Sequence, residues 1–501
     1  MTTGLHWIDG VILFVYACGM IGVGWWYARR QMSTDEYFVG NRSMNPTLIG
    51  VSMYATLFST ISYLSMPGEV LNHGPVMPLS GFLAIPIYYC IVAYVIVPVY
   101  MKHRAISAYT LLETQLGLHA RITGATLFIL MRLMWMSVLI YLSSKALLVM
   151  LGMGQPWLPM VAFVTGSIAI CYASMGGLRA VVITDLVQFL VLFCGALLVI
   201  AMVTWEASGL SWLPTQWNSA WDMQPLFDSD PTVRVTVFGS ILNMVLWWVC
   251  TAGGDQTAIQ RFMSTKDAAA ARRSFLISSL AGAAVAVVLV LVGFALLAFY
   301  QADVLRLPVG RTIEDSADEL FPYFVSHHLP IGLSGLVLCG LFAAAMSSVD
   351  SGINSITAVV MTDFVDRFRE TPLSERARVR SARWLAFTIG LIIVSISSFF
   401  MDHVPGNYLE QAQRTFNPLA APIFMLFLFA LFIPFATQGG AIFAAVTGFI
   451  AAFIVAYWNR LTGLPMISFQ WIFPVSLATG IVSGCALSLL SYKKCGKESD
   501  T

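Results

Sequence analysis

The chain has 501 residues, 58% of them apolar and only 11% charged. A soluble globular chain carries about 25% charged residues, so there is too little polar material here to coat a water-facing surface. The net charge of +1 excludes a nucleic-acid-binding balance, and with no polar stretch longer than 207–235 or 301–330, a large soluble domain is excluded as well.

Apolar runs predict thirteen membrane spans. The first, 9–28, follows an N-terminus without a basic n-region or a small-residue cleavage site, so it reads as a retained helix and not a signal peptide. The second, 46–66, is "VSMYATLFSTISYLSMPGE" in its polar part: Thr56, Ser59, Thr60, Ser62 and Ser65 crowd a helix that ends at Pro67-Gly68. Such a run predicts a helix unwound near its middle. Spans follow at 80–101, 122–150, 156–175 and 180–206, the last carrying Asp185 inside the apolar run "VVITDLVQFL". An aspartate there without an adjacent base is expected to face a hydrated site or an ion.

The seventh span, 236–262, is interrupted by "TAGGDQTAIQRF" at Gly253-Gly254-Asp255. Two broken helices, each opening a five-helix block, point to an inverted-repeat transporter; close packing at small residues is the alternative for either break alone. The eighth span is 272–300; the long loop at 207–235 precedes the seventh span, and that at 301–330 follows the eighth, where "DELFPYF" predicts a surface helix. The ninth, 331–362, holds "LFAAAMSSVDSGINS", which sets Ala344, Ser347, Ser348 and Ser351 on one helical face beside Asp350. Oxygen ligands with one carboxylate suit a hard cation. The remaining spans are 381–401, 405–435, 438–457 and 468–491.

Of 27 Lys and Arg, 20 fall on one side of these spans, four (Arg234, Arg306, Arg311, Arg460) on the other and three (Arg132, Lys145, Arg414) within them. The positive-inside rule then places the N-terminus outside and the C-terminus in the cytoplasm of a multi-pass plasma-membrane protein. Lys145 is expected to snorkel and Arg132 to meet Asp185 or lipid headgroups. Arg414 is expected either to meet an anionic substrate or to pair with Glu410 one turn earlier. The eight cysteines form no CxxC pair and read as small hydrophobes. No HExxH or GxSxG occurs, which argues against an enzyme, and no filter motif of the TVGYG kind argues for a channel. A transport-like sensor is the other non-carrier alternative.

Five segments carry a family resemblance: "DEYFVGNRSM" (35–44), the second span, "YASMGGLRAVVITDLVQ" (172–188), "DQTAIQRFMSTKDAAAARRS" (255–274) and "GLFAAAMSSVDSGINSITAVVMTDF" (340–364). In this order the chain resembles the sodium:solute symporter family, which includes sodium-coupled sugar, proline, iodide, monocarboxylate, choline and sialic acid transporters. The resemblance implies an all-α integral membrane protein with about thirteen transmembrane helices in a five-plus-five inverted repeat of the LeuT-like kind. One transporter domain would span 1–501, with repeats at about 46–206 and 236–435 and peripheral helices at 9–28, 438–457 and 468–491. It implies a main sodium site at backbone carbonyls of Ala55, Phe58 and Ala344 with the hydroxyls of Ser347 and Ser348. A second site of some members would use Asp185, Ser347, Asp350 and Ser351. Asp350 departs from the hydroxyl usual there, and two close carboxylates are expected to need a cation or to share a proton.

Sialic acid members carry an arginine at the position of Trp135 and a glutamine at that of Gly81, so their substrate is not expected here. "PGEV", similar to iodide and monocarboxylate members, and Arg414 favour a small carboxylate. Leu57, Ser59, Ser62, Met77, Gly81, Trp135 and Arg414 are the expected substrate-binding residues. The expected function is sodium-coupled import of a small organic solute by alternating access, with a sugar, polyol or amino acid as the alternative substrate. Sodium, the solute and the lipid bilayer are the partners; neither nucleic acid nor an obligate protein partner is expected.

Overall fold

The computed structural model describes residues 5–29, 34–103, 106–400 and 407–498. Arg30 and Arg104, residues 405–406 of the eleventh predicted span, and the side chains of 172–176, Lys493, Lys494 and Lys497 lie outside that description. Every long element among the described residues is a helix, as lipid demands, because only a helix satisfies its own backbone in hydrocarbon.

The spans are α1 (Trp7–Tyr27), the pair α2 (Pro46–Leu57) and α3 (Thr60–Asn72), α4 (Val76–His103), α5 (Leu118–Leu151), the shorter α6 (Gln155–Cys171) and α7 (Gly177–Glu206). The chain continues with α8 (Val237–Gly254) and α9 (Gln256–Met263), then α10 (Ala268–Ala302) and the loop helix α11 (Ile313–His327). It ends with α12 (Leu333–Phe368), α13 (Glu375–Phe399), α14 (Tyr408–Phe432), α15 (Gln438–Ala456) and α16 (Phe469–Ser491). Among the described residues, eleven helices are long and apolar enough to cross a bilayer, or 12 when the α2–α3 pair counts as one. The remaining predicted span, 156–175, is the short helix α6, which joins α7 at Gly177, whose φ of 58° breaks the regular geometry.

Both predicted interruptions exist. Helices α2 and α3 meet at 65°, with Phe58 and Ser59 extended between them. Helices α8 and α9 part at Asp255, also extended. Three expectations need correction. The second span does not end at Pro67-Gly68, because α3 carries Pro67 in its interior and runs on to Asn72. Helix α11 is no surface helix: Leu320, Phe321 and Phe324 are buried, and its backbone crosses Gly68 so closely that a Cβ there would lie 3.1 Å from the Asp318 Cα. Finally, Arg121 and Arg261, counted with the cytoplasmic loops, are buried and pair inside the protein with Asp363 and Asp185.

Candidate functional site

A helix that stops inside a membrane leaves four carbonyls without intrahelical partners. At the end of α2 the structure accounts for three of them. Tyr54 O accepts from the Phe58 amide at 2.7 Å. Ser347 on α12 donates its hydroxyl to Ala55 O at 2.8 Å, and Ser348 donates to Thr56 O at 2.7 Å. Ser347 also lies 3.3 Å from Ala344 O on its own helix. Ala55, Ala344, Ser347 and Ser348 therefore converge, with Phe58 capping the same helix end. A helix C-terminus carries partial negative charge, so these oxygens form a cluster matched to a small cation.

One turn further along α12 lies a second cluster. Asp185 on α7 accepts from Ser52 at 2.5 Å and from Thr56 at 3.3 Å. Its expected neighbours Asp350 and Ser351 are close: Ser351 lies 2.8 Å from Thr56 and 3.3 Å from Asp350. The expectation that Asp185 lacks a base is overturned. Arg261 on α9 reaches Asp185 at 3.2 Å, donates to Ser351 at 2.7 Å and to Ser52 at 3.1 Å, and bonds Thr56 as well. Both charged groups are fully enclosed, at 1% and 0% exposure. Asp185 keeps one oxygen, Oδ1, without a partner.

Arg132 does not meet Asp185; it pairs with Asp255 at the second break, Nε lying 3.3 Å from Oδ1. Asp255 also caps α9 by accepting from the Thr257 amide at 2.8 Å. The carbonyls freed there are held by phenols: Tyr100 donates to Gly253 O at 2.7 Å and Tyr109 to Gly254 O at 2.9 Å. Lys145 sits between the rings of Tyr141 and Tyr408.

Between the breaks lies a cavity of about 200 Å³. Leu57, Ser59, Ser62, Met77, Gly81 and Trp135 all line it. It reaches Met77, Ser240 and Gln470, in the first turns of α4, α8 and α16. Toward the other side, Trp135 and Phe416 (ring centroids 3.9 Å apart) separate it from a void of about 10 Å³ beside the Arg132–Asp255 pair. Arg414 is not in the lining. It is buried away from it and donates to Ala456 O at 2.7 Å and Ile467 O at 3.1 Å, while Glu410 stands 4.0 Å away. That is the expected i,i+4 ion pair, and Glu410 also accepts from Arg234 at 2.7 Å, whose other nitrogens grip Glu69 of "PGEV" at 2.8 and 2.6 Å. Beside this group, burial pushes the Asp318 carboxyl up to about 7, with Glu69 and Glu319 adding repulsion.

Residues 37–448 match the sequence model of the Sodium:solute symporter family. The sodium/sialic acid symporter SiaT of Proteus mirabilis is 25% identical over 91% of this chain and 90% of its own length. The sodium-coupled monocarboxylate transporter 1 of Homo sapiens is 27% identical over 89% of this chain and 72% of its own. Among solved structures, a substrate-bound, outward-open Na+-coupled sialic acid symporter superimposes with a TM-score of 0.79 at 24% identity, covering 96% of this chain and 97% of that one. Mhp1, a nucleobase-cation-symport-1 family transporter, does so at 0.55 and 12% identity, covering 92% and 95%. These likenesses give the fold: the all-helical, LeuT-like inverted repeat with two broken helices.

Proposed function

The chain belongs to the sodium:solute symporter family, and we propose that it imports a small organic solute on the inward sodium gradient by alternating access. Its family and relatives are multi-pass membrane transporters, not enzymes, and sodium is the coupling ion. The observation that carries the residue assignment is the shared break between α2 and α3. Ala55 and Thr56 offer carbonyls to α12 on one side of it, and Leu57, Phe58 and Ser59 line the cavity on the other.

In this reading a sodium ion enters among the oxygens of Ala55, Phe58, Ala344, Ser347 and Ser348, and the two serine hydroxyls turn from donating to carbonyls to accepting the ion. The ion thus ties α12 to the end of α2 and sets the shape of the cavity wall at Leu57–Ser59. Coupling needs only that sodium bind the outward- and inward-facing states unequally. The cavity reaches toward the ends of α4, α8 and α16 and is shut by Trp135, Phe416 and the Arg132–Asp255 pair. With the N-terminus outside and the C-terminus cytoplasmic, that is an outward-facing arrangement in the plasma membrane.

For the second ion position, Arg261 changes the expectation. Its guanidinium meets Asp185 and Ser351, two members of the proposed ligand set. The positive charge that a second sodium would bring is already supplied, so we read one sodium per solute, with Asp185, Asp350 and Ser351 serving as a fixed ionic joint and Ser347 left to the main site. The solute sits among Leu57, Ser59, Ser62, Met77, Gly81 and Trp135, without Arg414. The organisation proposed is one transporter domain with repeats at about 46–206 and 236–435. Counterflow in proteoliposomes tests the carrier reading: labelled solute should exchange in sodium and not in potassium, and leakage without exchange defeats it.

A further inference from the structure

Among the described residues that line the cavity there is no Asp, Glu, Lys, Arg or His. A carboxylate brought there would be buried without a counter-charge, which costs more than the hydrogen bonds of a neutral polar group return. Of the proposed ion ligands only Phe58 lines the cavity, while Ala55, Ala344, Ser347 and Ser348 stand outside the lining, so the ion stands behind the wall, already surrounded by carbonyl and hydroxyl oxygens. Nor does Arg132: it lies behind Trp135 and Phe416, paired with Asp255, in a void too small for a carboxylate.

What the cavity does present is neutral and unpartnered. Asn243 and Trp135 are 7% and 6% exposed, and both line it. Asn243 donates its amide to Gln413 Oε1 at 3.0 Å, leaving Oδ1 an acceptor with no donor. Asn417 also donates to Gln413 Oε1 at 3.0 Å, so that oxygen is held by two donors. Trp135 Nε1 is a buried donor with no acceptor. Both atoms are sealed from the empty cavity; buried polar atoms ordinarily find partners, so a solute that turns these two side chains toward itself must bring a donor for Asn243 and an acceptor for Trp135. A carboxylate brings only acceptors. A sugar brings many hydroxyls, yet Gln470 and Ser240 are already bonded to each other at 2.7 Å, and much of the remaining wall is aromatic. Tyr88 and Trp248 stack at 5.2 Å, Tyr54 and Phe58 at 4.9 Å.

We propose that the transported solute is an uncharged, flat compound bearing an amide, lactam or ureide group that donates to Asn243 and accepts from Trp135. This rests on the reading of the cavity as the solute site. A volume of about 200 Å³ lies below the roughly 300–1,000 Å³ of sites for drug-sized ligands, so the compound is of single-ring size.

The test uses the purified full-length protein in detergent. Thermal midpoints and tryptophan fluorescence are titrated with matched pairs: nicotinamide against nicotinate and benzamide against benzoate, with uracil and glucose alongside, each in sodium and in potassium. At least one of nicotinamide, benzamide and uracil should raise the midpoint, more in sodium, and neither acid nor glucose should. Asn243→Leu and Trp135→Phe should each weaken that binding tenfold or more while leaving sodium's own shift intact. If no amide or lactam stabilises the protein, or an acid or glucose does so in its place, the proposed class is overturned. Binding of an acid that is lost in Trp135→Phe would overturn the class and keep the cavity. Binding that both variants leave unchanged would overturn the cavity reading itself.

Discussion

In the proposed reading the buried pair formed by Arg261 and Asp185 sets the ion count, and Arg261→Gln tests it. At 3.2 Å and an effective dielectric of about 20, two unit charges attract by about 5 kcal/mol. Removing one member of a buried pair costs about 3–5 kcal/mol, because the remaining charge is stranded. Asp185 would keep only Ser52 and Thr56 as donors, with Oδ1 already unpartnered. The cheapest repair is a second sodium in the space the guanidinium leaves, next to Asp350. Arg261→Gln should therefore be unstable in potassium, recover in sodium, and show sodium activation with a Hill coefficient near 2 where the parent shows 1. Adding Asp185→Asn removes both charges and should return the coefficient to 1 with most of the stability regained. The assay pairs sodium titration of the melting temperature with sodium-to-solute flux ratios in proteoliposomes. A parent flux ratio of two sodium ions per solute, or an Arg261→Gln variant that melts alike in both salts, would refute the tethered-cation argument.

Ser347→Ala and Ser348→Ala each delete one hydroxyl ligand and should weaken apparent sodium affinity roughly tenfold, about 1.4 kcal/mol; unchanged sodium activation of uptake in both would count against the main-site assignment. Arg414→Gln should leave solute affinity within a few-fold and lower stability by about 1–3 kcal/mol, because the Ala456 and Ile467 carbonyls lose their donors; selective loss of uptake would return it to the solute site. Asp318, with its pKa raised from 3.8 to about 7, favours its neutral form in the fold. Its contribution to stability is fully present below about pH 4 and is lost as pH rises through about 7. The melting temperature should fall from pH 5 to pH 8, and Asp318→Asn should flatten that slope.

The two breaks were legible because their causes are local: a hydroxyl run at 56–65 and a Gly-Gly-Asp triplet each disrupt an apolar helix. Which charged groups meet was not legible, since pairing across helices depends on packing that no periodicity records. Even so, one signal was present. Arg261 falls inside the predicted span 236–262, as Asp255 does, and an intramembrane charge demands a partner. Treating Arg261 as a loop residue left Asp185 without a base and assigned Arg132 to the wrong acid. For Arg414 the helical spacing was informative: the pairing with Glu410 one turn away is present at 4.0 Å, whereas its place in the solute lining is not. What spacing could not record is that Arg234 from a distant loop shares that carboxylate.

Two broken helices do not make two ion sites, and the difference lies in what covers the loose carbonyls. At α2 the covering groups are serine hydroxyls, small enough to rotate and able to accept a cation as readily as they donate to a carbonyl. At α8 they are the phenols of Tyr100 and Tyr109, buried at 1% and 0% exposure, which bond the Gly253 and Gly254 carbonyls. Gly253 and Gly254 are pressed there against Phe424, so that a Cβ at either would approach it to 2.6 and 3.0 Å. Asp255 closes the joint by capping α9 and pairing with Arg132. One break is thus pinned by bulky, fully bonded groups, while the other is held by bonds that an ion can replace. With sodium at the proposed site, this asymmetry would let the ion act on one half of the fold against a fixed reference in the other.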